Sequence, residues 1–236
     1  MLKKDGPAMV KAESKLVVRD AMKLTPPCGR HAITESFAVQ RRIGIKSATR
    51  QIERLFPFVG EMKVLSRIPA RVLPYLQKYI FSGDIAKIKK VFGDFGVNLP
   101  IILREATKQL HDGARDAEGR VQKHVQYPIL NKSSRDALIK HEVSQVGKGK
   151  AGWVKPARAL GLSVPKWISQ HATSGDGVWN DRTTNTVQPF VELGNLVEHA
   201  NEGGARLGVM RAAMANRARS IRKRVEIMVK KMAKVK

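Results

Sequence analysis

The C-terminal segment 206–236 constrains the fold of this chain more than any other part of it. Its apolar residues recur at spacings of 4, 4, 3, 4, 3 and 4, namely Met210, Met214, Ala218, Ile221, Val225, Met228 and Met232. That spacing places them along one face of an α-helix. The other faces carry eleven Lys and Arg residues against a single acid, Glu226. The sequence therefore predicts a long, basic, amphipathic C-terminal helix whose apolar face packs on the protein's own core.

The basic faces of this helix predict a negatively charged partner. Like charges three or four residues apart destabilise a helix by a few tenths of a kcal/mol each, so a purely solvated face does not account for them. We expect an acidic protein surface or DNA phosphate to neutralise seven of these cations: Arg217, Arg219, Arg222, Lys223, Arg224, Lys230 and Lys231. The segment has no aromatic residue for base stacking, so any DNA contact should be independent of sequence.

The charge of the whole chain points the same way. Among its 236 residues, 44 Lys and Arg outnumber 20 Asp and Glu, which leaves a formal net charge of +24. A field of this size concentrates polyanions near the protein. The single cysteine, Cys28, excludes an intramolecular disulfide framework and a CxxC site. Because no apolar run approaches the roughly 18 residues that span a bilayer and the N-terminus lacks a signal-peptide pattern, we expect no membrane association and synthesis in the cytoplasm.

The periodicity of the apolar residues and the positions of proline and glycine along the chain predict an α+β fold, with several helices packed on a small antiparallel sheet. The segments 8–24, 34–56 and 133–146 have helical apolar spacing, whereas 120–130 and 187–191 fit strands. The polar, glycine-containing stretch 93–119 predicts an exposed loop. We expect a single α+β domain over 1–236, with a helical and loop insertion at about 61–118.

No arrangement of residues predicts catalysis, a cofactor or a metal site. The six histidines lack the HxH, HxxxH and HExxH spacings that bring two imidazoles to one metal. The segment GKGKAGW at 147–153 lacks the Walker spacing of a phosphate loop, and the sequence favours close backbone packing beside Trp153 instead. Nothing near Cys28 supplies an oriented base, although Arg30 could lower the thiol pKa. The pair His111 and Asp112 falls in the predicted loop.

Two tryptophans are the predicted anchors of the core. Trp153 and Trp167 each lie among apolar neighbours in the sequence. An indole buries about 150–250 Å², so we expect both side chains to be central to packing.

Several segments, in a fixed order, resemble the tail-completion or neck proteins of tailed bacteriophages, which join the DNA-filled head to the tail. These segments span nearly the whole chain. They are KLTPPCG at 23–29, QRRIGIKSATRQIERLF at 40–56, GRV at 119–121, VGKGKAGWVKPARALG at 146–161, PKWISQHA at 165–172, NLVEHA at 195–200 and the basic terminal helix.

The resemblance implies a structural protein of the virion, present as a ring of identical subunits at the head-to-tail junction and in contact with other neck, portal or tail proteins. It implies no catalysis. The alternative is a basic ribosome-associated protein that binds rRNA, for which a high pI and a basic helix are typical. A nucleic-acid enzyme would need a carboxylate cluster for metal, and Asp112, Asp116 and Glu118 form the only loose one in the sequence.

Overall fold

The computed structural model describes residues 2–61, 65, 67–96, 105–116, 120–184, 188–197 and 205–233. The fold is α+β, with a two-stranded antiparallel sheet and a long C-terminal helix, which confirms the predicted class. The helices are α1 (Leu2–Leu24), α2 (Phe37–Leu55), α3 (Leu73–Ser82), α4 (Ile85–Asp94), α5 (Lys108–Gly113), α6 (Lys132–Ser144), α7 (Lys148–Ala151), α8 (Val154–Ala159), α9 (Lys166–Ser169) and α10 (Ala205–Ala233). The strands are β1 (Gly177–Arg182) and β2 (Phe190–Asn195), and a 3-10 turn covers Val59–Glu61.

The chain divides into two compact units, and the boundaries fall within α2 and after α6. Unit 1 comprises the residues up to Ile45 and those from Gln145 onward, and unit 2 comprises Lys46–Ser144. The insertion predicted at about 61–118 falls inside unit 2, although 62–64, 66, 97–104 and 117–119 lie outside the described residues.

Unit 1 is built on α1, which contacts α10, α8 and β2. Val17, Val18, Ala21 and Met22 of α1 are buried against side chains from other segments of the unit. Those partners are Trp153, Val154, Ala157, Trp167, Ile168 and Ala213. Burial of these side chains supplies the main stabilisation of the unit.

The sheet is a hairpin in unit 1. Its register pairs Gly177 with Asn195, Trp179 with Leu193 and Arg182 with Phe190. The base of the hairpin meets the turn between α7 and α8 so closely that a Cβ on Gly177 would lie 2.2 Å from the carbonyl oxygen of Gly152. Glycine is therefore required at position 177 for this junction to close.

The described residues of unit 2 form two apolar clusters. One joins the end of α2 to α6 through Ile52, Leu55, Phe56 and Leu138, and the other joins α3 to α4. The second cluster buries Val59, Ile68, Leu76, Ile80, Ile88 and Phe92. Gly83, at φ 71°, ends α3, and Asp84 caps α4 by accepting a hydrogen bond from the Lys87 backbone N–H at 3.2 Å. Glu61 forms ion pairs with Lys132 and Arg135 of α6.

The structure corrects two sequence predictions. The predicted strand at 120–130 does not form, because Val121 and Ile129 take part in isolated bridges with Arg115 and Phe58 rather than in a ladder. The strand that completes the sheet is β1, in a stretch where we predicted none. The predicted exposed loop at 93–119 contains α5, whose His111 is buried. A helix forms there because Thr107 caps it and Ala114 packs into the apolar cluster of unit 2.

Candidate interaction surface and buried polar sites

The basic face of α10 meets acidic side chains of α1 within the same chain. Glu13 Oε2 lies 3.4 Å from Arg217 Nη2, and Glu13 Oε1 lies 3.0 Å from Arg224 Nε. About two turns further along α1, Asp20 accepts a hydrogen bond from Asn216 Nδ2 at 2.7 Å and contacts Arg19. Two of the seven cations predicted to face a partner therefore already face a carboxylate of unit 1.

Glu13 is the main acidic group beneath α10. Its side chain is 8% exposed, and two guanidinium groups share it. Sequence analysis missed Glu13 because a single acid in a helix forms no recognisable motif. The available signal was its spacing: Glu13 and Asp20 lie seven residues apart, which places both on one face of α1.

The remaining described cations of the predicted set point to solvent. Arg219, Arg222, Lys223 and Lys230 are exposed, and within the described part of the chain they have no ion pair with an acid. The side chain of Lys231 lies outside the described residues. The four exposed cations leave a strongly positive surface along one side of α10.

An apolar groove lies between α1, β2 and α10 in unit 1. Its volume is about 390 Å³, and its apolar lining consists of Met9, Val10, Val17, Val191, Leu193, Met210, Met214 and Ile221. Met214 is 48% exposed although it belongs to the stripe predicted to pack on the core. That prediction is therefore wrong for part of α10: Ala213 is fully buried, whereas Met214 and Val225 keep much of their surface in solvent.

Both predicted anchor tryptophans lie in the core of unit 1. Trp153 is 3% exposed and Trp167 is 9% exposed. The indole N–H of Trp153 donates a hydrogen bond to Thr25 Oγ1 at 2.8 Å. Trp167 packs on Gly147, where an added Cβ would lie 2.7 Å from the ring and where φ is 104°. The segment 147–153 is therefore closely packed at Gly147, but against Trp167 and not beside Trp153 as the sequence favoured.

Lys150 is a buried cation that sequence analysis did not single out. Its ammonium donates hydrogen bonds to the carbonyl oxygens of Met22 at 2.6 Å, Lys23 at 3.4 Å and Thr25. These carbonyls form the C-terminal end of α1, where the helix dipole favours a cation. Burial lowers the pKa of Lys150 to about 7, while the nearby Cys28 and Glu35 act in the opposite direction.

The environment of Cys28 does not activate the thiol. Its Sγ lies 3.4 Å from the carbonyl oxygen of Leu24. Burial raises the pKa of Cys28, and the opposing effect of Lys150 is smaller. The thiol is thus protonated at neutral pH, and burial outweighs the lowering of its pKa that the neighbouring Arg30 suggested in the sequence.

In unit 2, His111 lies among charged side chains. Its Nδ1 is 3.7 Å from Asp112 Oδ1 and 3.9 Å from Glu142 Oε1, and its Nε2 is 3.4 Å from Arg115 Nη2. Burial and the Arg115 charge lower the pKa of His111, while Glu142 and Asp112 oppose them. The imidazole is therefore neutral at neutral pH.

Asp112, Asp116 and Glu118, the loose carboxylate cluster of the sequence, form no metal site within the part of the chain that the structure describes. Asp116 accepts the Arg120 backbone N–H at 2.7 Å, and Glu118 lies outside the described residues. Among the residues that the structure describes, no group of three or more His, Cys, Asp or Glu could hold a metal ion. Searched over the same residues, no helix is both long and apolar enough to cross a membrane.

Comparison of the chain with protein-family models, with curated proteins and with solved structures finds no match. The contacts described above are consequently the basis for any functional assignment. Three of the segments singled out in the sequence meet within unit 1. The LTPP segment contributes Thr25, the AGW segment contributes Lys150 and Trp153, and the PKWISQHA segment contributes Trp167 and Ile168.

Proposed function

We propose that this protein is a non-enzymatic structural subunit of a bacteriophage head-to-tail connector, where it joins the DNA-filled head to the tail. The observation that carries the proposal is the convergence of Thr25, Lys150 and Trp153 in one buried, hydrogen-bonded cluster. Residues that lie far apart in the sequence and resemble neck-protein motifs share this cluster. Such a pattern is typical of residues that maintain a fold rather than of residues that carry out a reaction.

The exposed charge of α10 supports an assembly role for the same subunit. Arg219, Arg222, Lys223 and Lys230 present a positive surface that suits neighbouring neck, portal or tail proteins, or the phosphates of DNA passing through a ring of identical subunits. On this proposal the protein is synthesised in the host cytoplasm and becomes part of the virion when the ring assembles. Contact with DNA in such a ring would use phosphates and would not depend on base sequence.

The test introduces an amber mutation into the gene for this chain in the phage genome. A plasmid that expresses the wild-type protein provides complementation. Electron microscopy of the lysate should reveal DNA-filled heads that lack stable tails, and wild-type complementation should restore joined particles. Mass spectrometry of purified particles should detect the protein in several copies per virion.

Two results would contradict the proposal. If tailed, infectious particles form without the protein, it is not a connector subunit. If the protein instead sediments with ribosomes in a sucrose gradient and is released by ribonuclease, the ribosome-associated alternative is correct.

A further inference from the structure

The apolar groove of unit 1 continues into an exposed stripe on α10. Met214 and Ile221 line the groove, and Val225 and Val229 follow Ile221 at intervals of four residues on the same helix face. Met214 is 48% exposed, Val225 38% and Val229 53%. From Met214 to Val229 the stripe extends over about 22 Å at 1.5 Å per residue, which is the length of about four turns of helix.

The charges on the open side of this stripe are mostly positive, with Glu226 as the one acid of α10. Arg211 and Arg222 precede Met214 and Val225 by three residues and follow the edge of the stripe that is turned away from α1. Arg217 and Arg224 lie on the α1 side and face Glu13. Arg211 and Arg222 are exposed and form no ion pair with any acid in the described part of unit 1. An apolar strip with cations along its open edge is complementary to an amphipathic helix that carries acids beside its apolar face.

A second copy of this chain is a poor occupant of the surface. Segment 206–236 carries eleven cations and one acid, and the whole chain carries +24. Two such helices laid side by side would place like charges against each other, which disfavours pairing. Charge complementarity therefore selects a different, acidic chain.

We propose that the groove between α1, β2 and α10, together with the stripe from Met214 to Val229, binds an acidic amphipathic helix of another protein. The apolar face of that helix fills the groove and covers Val225, while its Glu or Asp side chains pair with Arg211 and Arg222. This inference does not depend on the connector assignment, because it concerns the chemistry of the bound segment and not the particle in which binding occurs.

The test uses the full-length protein and two fluorescent peptides of three heptads each, with Leu at the a and d positions. One peptide carries Glu at e and g, and the other carries Lys there. Fluorescence anisotropy should reveal saturable binding of the Glu peptide, and its affinity should exceed that of the Lys peptide by about a hundredfold.

Variants of α10 then locate the binding surface. Val225→Asp should weaken binding of the Glu peptide by more than about tenfold. Ile227→Asp is the matched control, because Ile227 is 46% exposed yet lies about 200° around the helix from Val225; it should bind as the wild type does. Arg211→Glu with Arg222→Glu should reverse the preference toward the Lys peptide. Circular dichroism of each variant verifies that α10 is retained.

Four outcomes would overturn the proposal. The first is equal binding of the Glu and Lys peptides, or no binding of either. The second is displacement of the Glu peptide by a DNA duplex combined with no effect of Val225→Asp, which would make the surface a phosphate-binding face. The third is a wild-type dimer in sedimentation that Val225→Asp dissociates, which would make a second copy the occupant. The fourth is displacement of the Glu peptide from the stripe by vesicles of anionic phospholipid, which would make the stripe a membrane-binding face.

Discussion

The ammonium of Lys150 lies 2.6 Å from the carbonyl oxygen of Met22, a residue 128 positions earlier in the chain. Both residues are buried, and the same ammonium also binds the carbonyl oxygen of Thr25. A single side chain of α7 thereby satisfies backbone groups that would otherwise be unpaired at the end of α1. The pair links the two halves of unit 1 that are separated in sequence by unit 2.

Replacement of Lys150 by Met should destabilise the protein by about 3 kcal/mol at neutral pH, since at least two buried carbonyl oxygens lose their donor. Urea unfolding followed by tryptophan fluorescence measures the change. Lys148→Met is the matched control, because Lys148 lies in the same short helix and is exposed. Equal stability of the two variants would mean that water replaces the ammonium without cost.

The stability that depends on Lys150 should increase with pH. Its pKa is lowered to about 7 in the folded protein, whereas in the unfolded chain it is about 10.4. Between these values the unfolded state binds more protons, so stability rises with pH. From about pH 7 to pH 9, the wild type should gain about 2 kcal/mol relative to Lys150→Met. A difference between the two proteins that stays constant over this range would contradict the prediction.

Trp153→Ala and Trp167→Ala should each lower the free energy of unfolding by about 3–5 kcal/mol, because each deletion leaves a cavity in the core of unit 1. Trp179, which is half-buried in β1, supplies the comparison. Trp179→Ala should lower the free energy of unfolding by clearly less than the other two substitutions do. Thermal unfolding by circular dichroism measures all three variants. Unchanged stability after loss of both Trp153 and Trp167 would show that neither indole anchors the core.

Glu13→Gln should loosen α10 from α1, because Arg217 and Arg224 lose the carboxylate between them. Removal of one member of a buried ion pair costs about 3–5 kcal/mol. Amide hydrogen exchange should become faster over 210–221 in the variant. The control is Glu226→Gln, which removes the exposed acid of α10 and should leave exchange in that segment unchanged. Similar exchange rates in both variants would exclude an anchoring role for Glu13.

His111 should make unit 2 sensitive to acid. Because burial and Arg115 lower its pKa in the folded state, the unfolded chain takes up the proton first as the pH falls below about 6.5. Stability therefore declines through this range, and His111→Leu should make the decline shallower. His124→Leu removes an exposed imidazole of the same unit and serves as the comparison. A decline of the same slope in the wild type and in His111→Leu would rule out this source of acid sensitivity.

Helical elements with strong apolar periodicity could be predicted from the sequence. The terminal helix was expected over 206–236 and is observed as Ala205–Ala233, and α2 lies within the predicted 34–56. Strand β1 could not be predicted, because GVWNDR does not alternate apolar with polar residues and acquires its strand conformation by pairing with β2. The helical spacing of 206–236 also could not indicate which part of α10 packs against α1 and which part lies beyond it.

The polar contacts were harder to predict than the helices. Lys150 is flanked by small residues in GKGKAGW and resembles a solvent-exposed lysine until the end of α1 is placed beside it. Glu13 likewise acquires its two guanidinium partners from a segment more than 200 positions away in the chain. Local spacing carries no information about such contacts, since they depend on tertiary packing.

The close approach of Gly152 and Gly177 divides the hairpin into regions of unequal tolerance to change. At its base, even one methyl group at position 177 would collide with a neighbouring backbone oxygen. At its other end, Arg182 lies over the exposed ring of Phe190, with 5.8 Å between the guanidinium carbon and the ring centroid. Substitutions, whether natural or introduced for labelling, should therefore be tolerated near Arg182 and Phe190. Substitutions of Gly152 and Gly177 should not be tolerated.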